Sequence, residues 1–314
     1  MINKLLVVGT MAYDNIETPF GKVENILGGA ATYIAFASSN FKTNVGIVSV
    51  IGEDFKSEDL KLLTNRKVDI SGVEIINGEK TFFWSGKYHD DLNIRDTLDT
   101  QLNVLENFVP KVPNNWKKPK ILLLGNLHPS VQLSALNQMN NRPELIILDT
   151  MNFWMDNFRS ILDEVISKID VICINDEEAS QLTQENSIWK AAEKIKKLGP
   201  KYIIIKKGEN GAMLFHNEKY FFVPAFPLKE VQDPTGAGDS FAGGFAGYLT
   251  QANDISFESM KLALIYASAL ASFTVEKFGT ENLQLVNESK LKKRLKIFTK
   301  LTKFKTELLN TAEL

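Results

Sequence analysis

Cysteine is almost missing from these 314 residues: Cys173 stands alone, which rules out an intrachain disulfide. Its setting, Val171-Ile172-Cys173-Ile174, reads as a buried strand and argues against a catalytic thiol. Histidine is nearly as scarce, and three scattered copies are too few for a structural zinc site. A charge-free window of membrane-spanning length is missing too, so no spanning helix is expected. So is any large charge excess: 36 basic and 38 acidic residues leave a formal net charge of -2. That balance excludes a general attraction to nucleic acid or to an anionic membrane. The first residues show no basic leader, hydrophobic stretch and small-residue cleavage site in order, so a cytoplasmic location is expected.

What is present is the composition of a globular protein, 44% hydrophobic and 24% charged, long enough for one elaborated domain over residues 1–314. Apolar strands are expected at 5–8, 45–50, 121–124, 145–148, 171–174 and 202–205. Helical segments fall between them, including 57–64, 156–167 and 187–197. Continuous apolar strands alternating with helices indicate an α/β fold whose mostly parallel sheet is covered on both faces. Residues 212–215 and 219–223 read as an antiparallel extension of that sheet.

Residues 16–26 and 70–98 break the alternation. They hold short candidate strands at 73–76, 81–86 and 92–98, with Asn77-Gly78 as a hairpin signal. We expect a small projecting β-sheet, aromatic at Phe82, Phe83, Trp84 and Tyr88. Such a sheet either packs on the body or acts as a lid over substrate or as a homodimer contact. A basic C-terminal stretch carries Leu291, Leu295, Phe298, Leu301 and Leu308 at helical spacing, and reads as a solvated helix laid on the core.

The segment Asp233-Pro234-Thr235-Gly236-Ala237-Gly238-Asp239 carries the strongest chemistry. Gly236 and Gly238 allow a tight turn before a small-residue helix, whose first N–H groups and dipole favour phosphate. A carboxylate there, Asp239, can accept the proton of an attacking alcohol; it can also simply cap the helix. No Gly-x-x-x-x-Gly-Lys-Ser/Thr loop or dinucleotide fingerprint occurs. Asp14 follows the first strand, and Gly28-Gly29 open the first helix. Asn175 and Glu178 follow the 171–174 strand as either a polar cap or oxygen donors near a hard cation.

Together these residues resemble the ribokinase-like (PfkB) carbohydrate kinase family over nearly the whole chain. The resemblance implies a three-layer α-β-α, Rossmann-like ribokinase fold and ATP-dependent phosphorylation of a hydroxyl. It implies that Asp239 is the base and that Gly236, Ala237 and Gly238 form the anion hole. It places substrate hydroxyls at Asp14 and the sugar beside Gly28 and Gly29. It assigns Asn175 and Glu178 to Mg²⁺ through water. It assigns the nucleotide to Lys207, Gly208, Gly211, Ser268 and Gly279.

Tyr33 stands where the family usually has a sugar-holding Asn, and Ser268 where some relatives carry an Asn. Pro234 replaces a common Thr next to a loop that in the family can bind a monovalent cation such as K⁺. A phosphosugar would need a converging cation, for which Lys22, Lys87 and Arg95 are available. The reading favours an unphosphorylated sugar or polyol, with an adenosine-like nucleoside as the alternative acceptor. A catalytically weak sugar-binding regulator is the other class.

Overall fold

The computed structural model describes residues 4–303. Its first seven strands are β1 (Lys4–Val8), β2 (Ala12–Thr18), β3 (Gly21–Gly28), β4 (Asn44–Gly52), β5 (Asp69–Ile76), β6 (Phe82–Tyr88) and β7 (Arg95–Gln101). Six more follow: β8 (Ile121–Leu124), β9 (Leu145–Leu148), β10 (Val171–Asn175), β11 (Tyr202–Lys206), β12 (Ala212–His216) and β13 (Lys219–Val223). Nine of them form one sheet in the order β13-β12-β11-β10-β9-β8-β1-β4-β5. The run from β5 to β11 is parallel, and β12 and β13 extend it antiparallel.

Alternation along these strands builds two cores. Leu5, Val7, Leu123, Cys173 and Ile204 point into one, which packs the helices Ala30–Ser38, Ala237–Gln251 and Phe257–Thr274. Leu6, Val8, Leu124, Ile174 and Ile205 point into the other, beneath the helices Pro129–Asn137, Arg159–Ile166, Asp176–Thr183 and Ile188–Lys197. Strands buried on both faces must be apolar at every position, which is why β8 reads Ile-Leu-Leu-Leu. The result is three layers, as expected. The thiol of Cys173 lies fully buried, and burial pushes it up to about 12, leaving it an inert core group.

The remaining four strands form a separate sheet in the order β3-β2-β6-β7. Three boundaries differ from expectation. Residues 73–76 belong to β5, which pairs with β4 in the large sheet, so the small sheet does not begin at residue 70. Asn77-Gly78 therefore joins two sheets instead of closing a hairpin, with Gly78 N donating to Glu53 Oε2. Asp14 lies inside β2, so it is carried by the small sheet and not by a loop after β1. The helix expected at 156–167 is two helices, Asn152–Asn157 and Arg159–Ile166, broken at the non-helical Phe158.

The helix Glu288–Thr302 buries Leu291 and Phe298 but leaves Leu301 exposed; Leu308 lies outside the described residues. No helix among the described residues is long and apolar enough to cross a membrane.

Candidate active site

Gly236 adopts φ 73° and caps the helix Ala237–Gln251, placing Asp239 in its first turn. The turn before it is pinned at Asp233, which is fully buried. Asp233 Oδ1 accepts from Thr235 N at 2.8 Å, and Oδ2 accepts from Gly279 N at 2.8 Å. Gly279, assigned to the nucleotide side, thus also anchors the anion turn. Burial raises the Asp233 carboxyl, and the hydrogen bonds it accepts work against that rise.

Asp239 Oδ1 is buried with no hydrogen-bond partner among the described residues. Burial and the neighbouring Asp149 raise its carboxyl to about 7, with Lys206 and Arg95 acting in the opposite sense. A carboxylate with one free oxygen and a proton affinity near neutrality suits a general base.

Asp14 is 4% exposed, and burial followed by repulsion from Asp233 and Asp239 raises it to about 8. Its carboxyl occupies the space beside Gly28, where a Cβ would overlap Oδ2. Gly29 caps the first helix at φ 90°. Tyr33, 1% exposed, lays its ring over Gly236, where again no Cβ fits. Its hydroxyl has no partner among the described residues. Burial, then Asp233, Asp14, Asp239 and Tyr88, raise its pKa well above the ordinary tyrosine value. Asp14, Gly28, Gly29, Tyr33 and Asp239 therefore converge.

On the other side, Asn175 Oδ1 accepts from Glu178 N at 2.7 Å, and Glu178 Oε2 accepts from Asn175 N at 2.8 Å. This reciprocal cap begins the helix Asp176–Thr183, so the polar-cap reading holds for both residues. Burial raises Glu178 to about 7, with Lys206 lowering and Asp149 raising it. Beyond the cap pair, no group of three His, Cys, Asp or Glu converges as a metal cage among the described residues.

The lysine that reaches this centre is Lys206, not Lys207. Along β11 the side chains alternate, and Lys206 shares the parity of Ile204 on the face of the Gly-rich helix. Lys207 instead lines a surface depression with Asp176, Glu177 and Glu185. Gly208 and Gly211 have positive φ, and a Cβ on Gly208 would lie 3.0 Å from Asn93 Oδ1. Ser268 is buried and its Oγ donates to Pro224 O at 2.9 Å.

Sequence reasoning passed over Asp149, and it named Tyr88 and Arg95 without placing them at the anion turn. Asp149, at the end of β9, meets Lys206. Tyr88 on β6 accepts a hydrogen bond from Thr235 Oγ1 at 3.0 Å, tying the small sheet to the anion turn. Arg95 pairs with Tyr88 across the sheet and stands 5.8 Å over the Trp84 ring. Lys22 and Lys87 are spent on Glu24 and Glu17 at the surface. Strand parity counted from the apolar positions of β11 was the available signal for Lys206; Asp149 and Arg95 had no local motif.

The arrangement can hold an alcohol at Asp14, take its proton at Asp239 and stabilise charge at the Gly236–Asp239 turn. That is the equipment of phosphoryl transfer. The comparisons agree. Residues 3–286 match the model of the pfkB family carbohydrate kinases. A cytidine kinase of Thermococcus kodakarensis is 31% identical over 250 residues, 78% of this chain and 88% of its own. A nucleoside kinase of Methanothermobacter thermautotrophicus is 25% identical over 307 residues, 88% of this chain and 91% of its own. The solved nucleoside kinase of Methanocaldococcus jannaschii superposes with a TM-score of 0.76 at 22% identity, covering 94% of this chain and 99% of its own. The chain has the ribokinase fold and is a kinase; it belongs to the pfkB carbohydrate kinase family.

Proposed function

We propose that this protein transfers the γ-phosphoryl group of ATP to a hydroxyl of a nucleoside, with Asp239 as base. The observation that carries the reading is Asp239 Oδ1, without a hydrogen-bond partner among the described residues, at the head of a glycine-opened helix and on the same side as Asp14. The preference for a nucleoside over a free sugar or polyol rests on the cytidine and nucleoside kinases among the similar proteins. The aromatic Trp84 and Tyr88, carried on the sheet that also bears Asp14, are consistent with a ring-bearing acceptor.

In this reading Asp14 holds acceptor hydroxyls, Gly28 and Gly29 let the acceptor approach, and Gly236, Ala237 and Gly238 receive the phosphoryl oxygens. Gly208, Gly211, Ser268 and Gly279 border the nucleotide. Mg²⁺ would neutralise phosphate charge. The donor set fits an ion that keeps most ligands from water and phosphate, since Asn175 and Glu178 already bind each other and no protein cage surrounds them. A K⁺ ion beside the Asp233 turn and a cytoplasmic location belong to the same proposal. The small sheet, strands β2, β3, β6 and β7, acts as a lid over the acceptor; its edge strand β7, exposed along its length, offers a surface for a second copy.

The deciding experiment is turnover of ATP and Mg²⁺ with a panel of nucleosides, free sugars and polyols, followed by mapping of the phosphorylated position. Faster phosphorylation of a free sugar than of any nucleoside would restore the sugar reading. Binding of sugars without any phosphorylated product would favour a regulator.

A further inference from the structure

We propose that Lys206 is a catalytic residue whose ammonium contacts the transferring phosphoryl group, held in place by Asp149. Lys206 closes β11 directly beside Asn175, the last residue of β10. Its side chain is 16% exposed, and Nζ lies 3.3 Å from Asp149 Oδ1, itself on a side chain 8% exposed. A Cβ on Gly238 would stand 3.0 Å from Nζ, so the ammonium lies against the backbone of the anion turn.

An ammonium carries three donors, and this one uses a single hydrogen bond among the described residues. Two N–H donors are therefore left in a largely buried corner. That is poor design for a purely structural ion pair, because a buried pair offsets its desolvation only when its remaining donors are also met. An incoming phosphoryl group with three peripheral oxygens meets them. Burial works against the charge on Lys206, but Asp149, with Glu178 and Asp239, more than offsets it and holds the group above the ordinary lysine value. The residue stays protonated throughout and moves no proton.

The inference rests on the reading of Gly236–Asp239 as the phosphoryl site. In the step, the acceptor O–H gives its proton to the Asp239 carboxylate and its oxygen bonds to the γ-phosphorus of ATP. The bond from that phosphorus to the β-bridging oxygen breaks, and ADP leaves with the electron pair. Lys206 donates to the oxygens that gain charge. Asp149 is a positioning residue, fixed by Thr150 N, which donates to Oδ1 at 3.1 Å.

Removing Lys206 alone strands a buried carboxylate and risks the fold, so the test uses the double variant Lys206→Met with Asp149→Asn, alongside Lys206→Arg. Wild-type turnover with the acceptor found above comes first; its absence would sink the proposed function and this role with it, whereas wild-type turnover beside an unimpaired double variant sinks the role of Lys206 alone. We expect the folded double variant to lose about 100-fold or more in kcat. It should bind ADP within about threefold of wild type yet lose the extra affinity for ADP with aluminium fluoride, a phosphoryl mimic. Lys206→Arg, which keeps the charge, should recover at least about tenfold of that loss. A double variant with kcat within about fivefold of wild type, or with undiminished aluminium fluoride affinity, overturns the proposal and leaves a structural ion pair.

Discussion

The carboxyl of Asp14 fills the space in which residue 28 would carry a side chain, so the two positions are one constraint. Gly28→Ala should force Asp14 out of its place. We expect a folded protein, destabilised by about 1–3 kcal/mol, with kcat/KM for the acceptor lowered about 100-fold. Thermal unfolding and steady-state kinetics check this; an unchanged kcat/KM would separate Asp14 from acceptor binding.

Asp239→Asn should raise the barrier by about 3–5 kcal/mol while increasing stability. The folded carboxyl titrates near 7, above its unfolded value of about 4. The unfolded chain therefore ionises first, and stability is lost as pH rises through that window. Asparagine has no such loss. The melting temperature of the variant should exceed wild type by a few degrees at pH 8 and match it near pH 4.

Activity should fall on the acid side as Asp239 takes up its proton, with kcat/KM halved near pH 7. Arg95 lowers that carboxyl from the small sheet, so Arg95→Gln should move the acid limb to higher pH. A pH–rate profile of both proteins shows the displacement; identical limbs would place Arg95 outside the field of the base.

Tyr33→Phe removes a buried hydroxyl that has no partner among the described residues. Stability should hold or rise by about 1 kcal/mol, since an unmet polar group is lost. If that hydroxyl serves the acceptor, KM for the acceptor rises while KM for ATP does not. Tyr33→Asn, by contrast, opens a cavity and should cost about 2–4 kcal/mol.

Glu178→Gln keeps an acceptor for Asn175 N and so keeps the helix cap, but removes a charge. The melting temperature should stay within a few degrees while the Mg²⁺ concentration for half-maximal rate rises about tenfold. An unchanged Mg²⁺ requirement would leave Glu178 as a cap alone.

The large sheet was legible because strands buried on both faces leave uninterrupted apolar runs such as Ile121-Leu122-Leu123-Leu124. The small sheet was legible only in part. Val73 to Ile76 look like any short half-exposed strand, and only pairing with β4 assigns them. Asp239 could be read because its glycines mark the turn chemically. Lys206 was hidden by its neighbour Lys207, since identical residue types differ only in which face the strand gives them. Asp149 is brought in from a distant element by topology, and nothing in its own surroundings announces it; Arg95 was one of three available cations, and only the pairing of β7 with β6 sets it beside Tyr88.

Asp14, Tyr88 and Arg95 ride on the four-stranded sheet, whereas Asp239 and Lys206 belong to the nine-stranded body. Hydrogen bonds that join the two include Thr235 Oγ1 to Tyr88 OH, Asn93 Nδ2 to Glu209 Oε2 at 3.2 Å, and Tyr13 OH to Asp59 Oδ2 at 2.7 Å. The acceptor clamp and the base are thus aligned by docking of one sheet on another and not by a continuous element. A small tilt of the lighter sheet would separate them by more than a bond can follow. Register between the sheets is thus a condition of reaction: the acceptor clamp and the base face each other only while the lighter sheet stays docked.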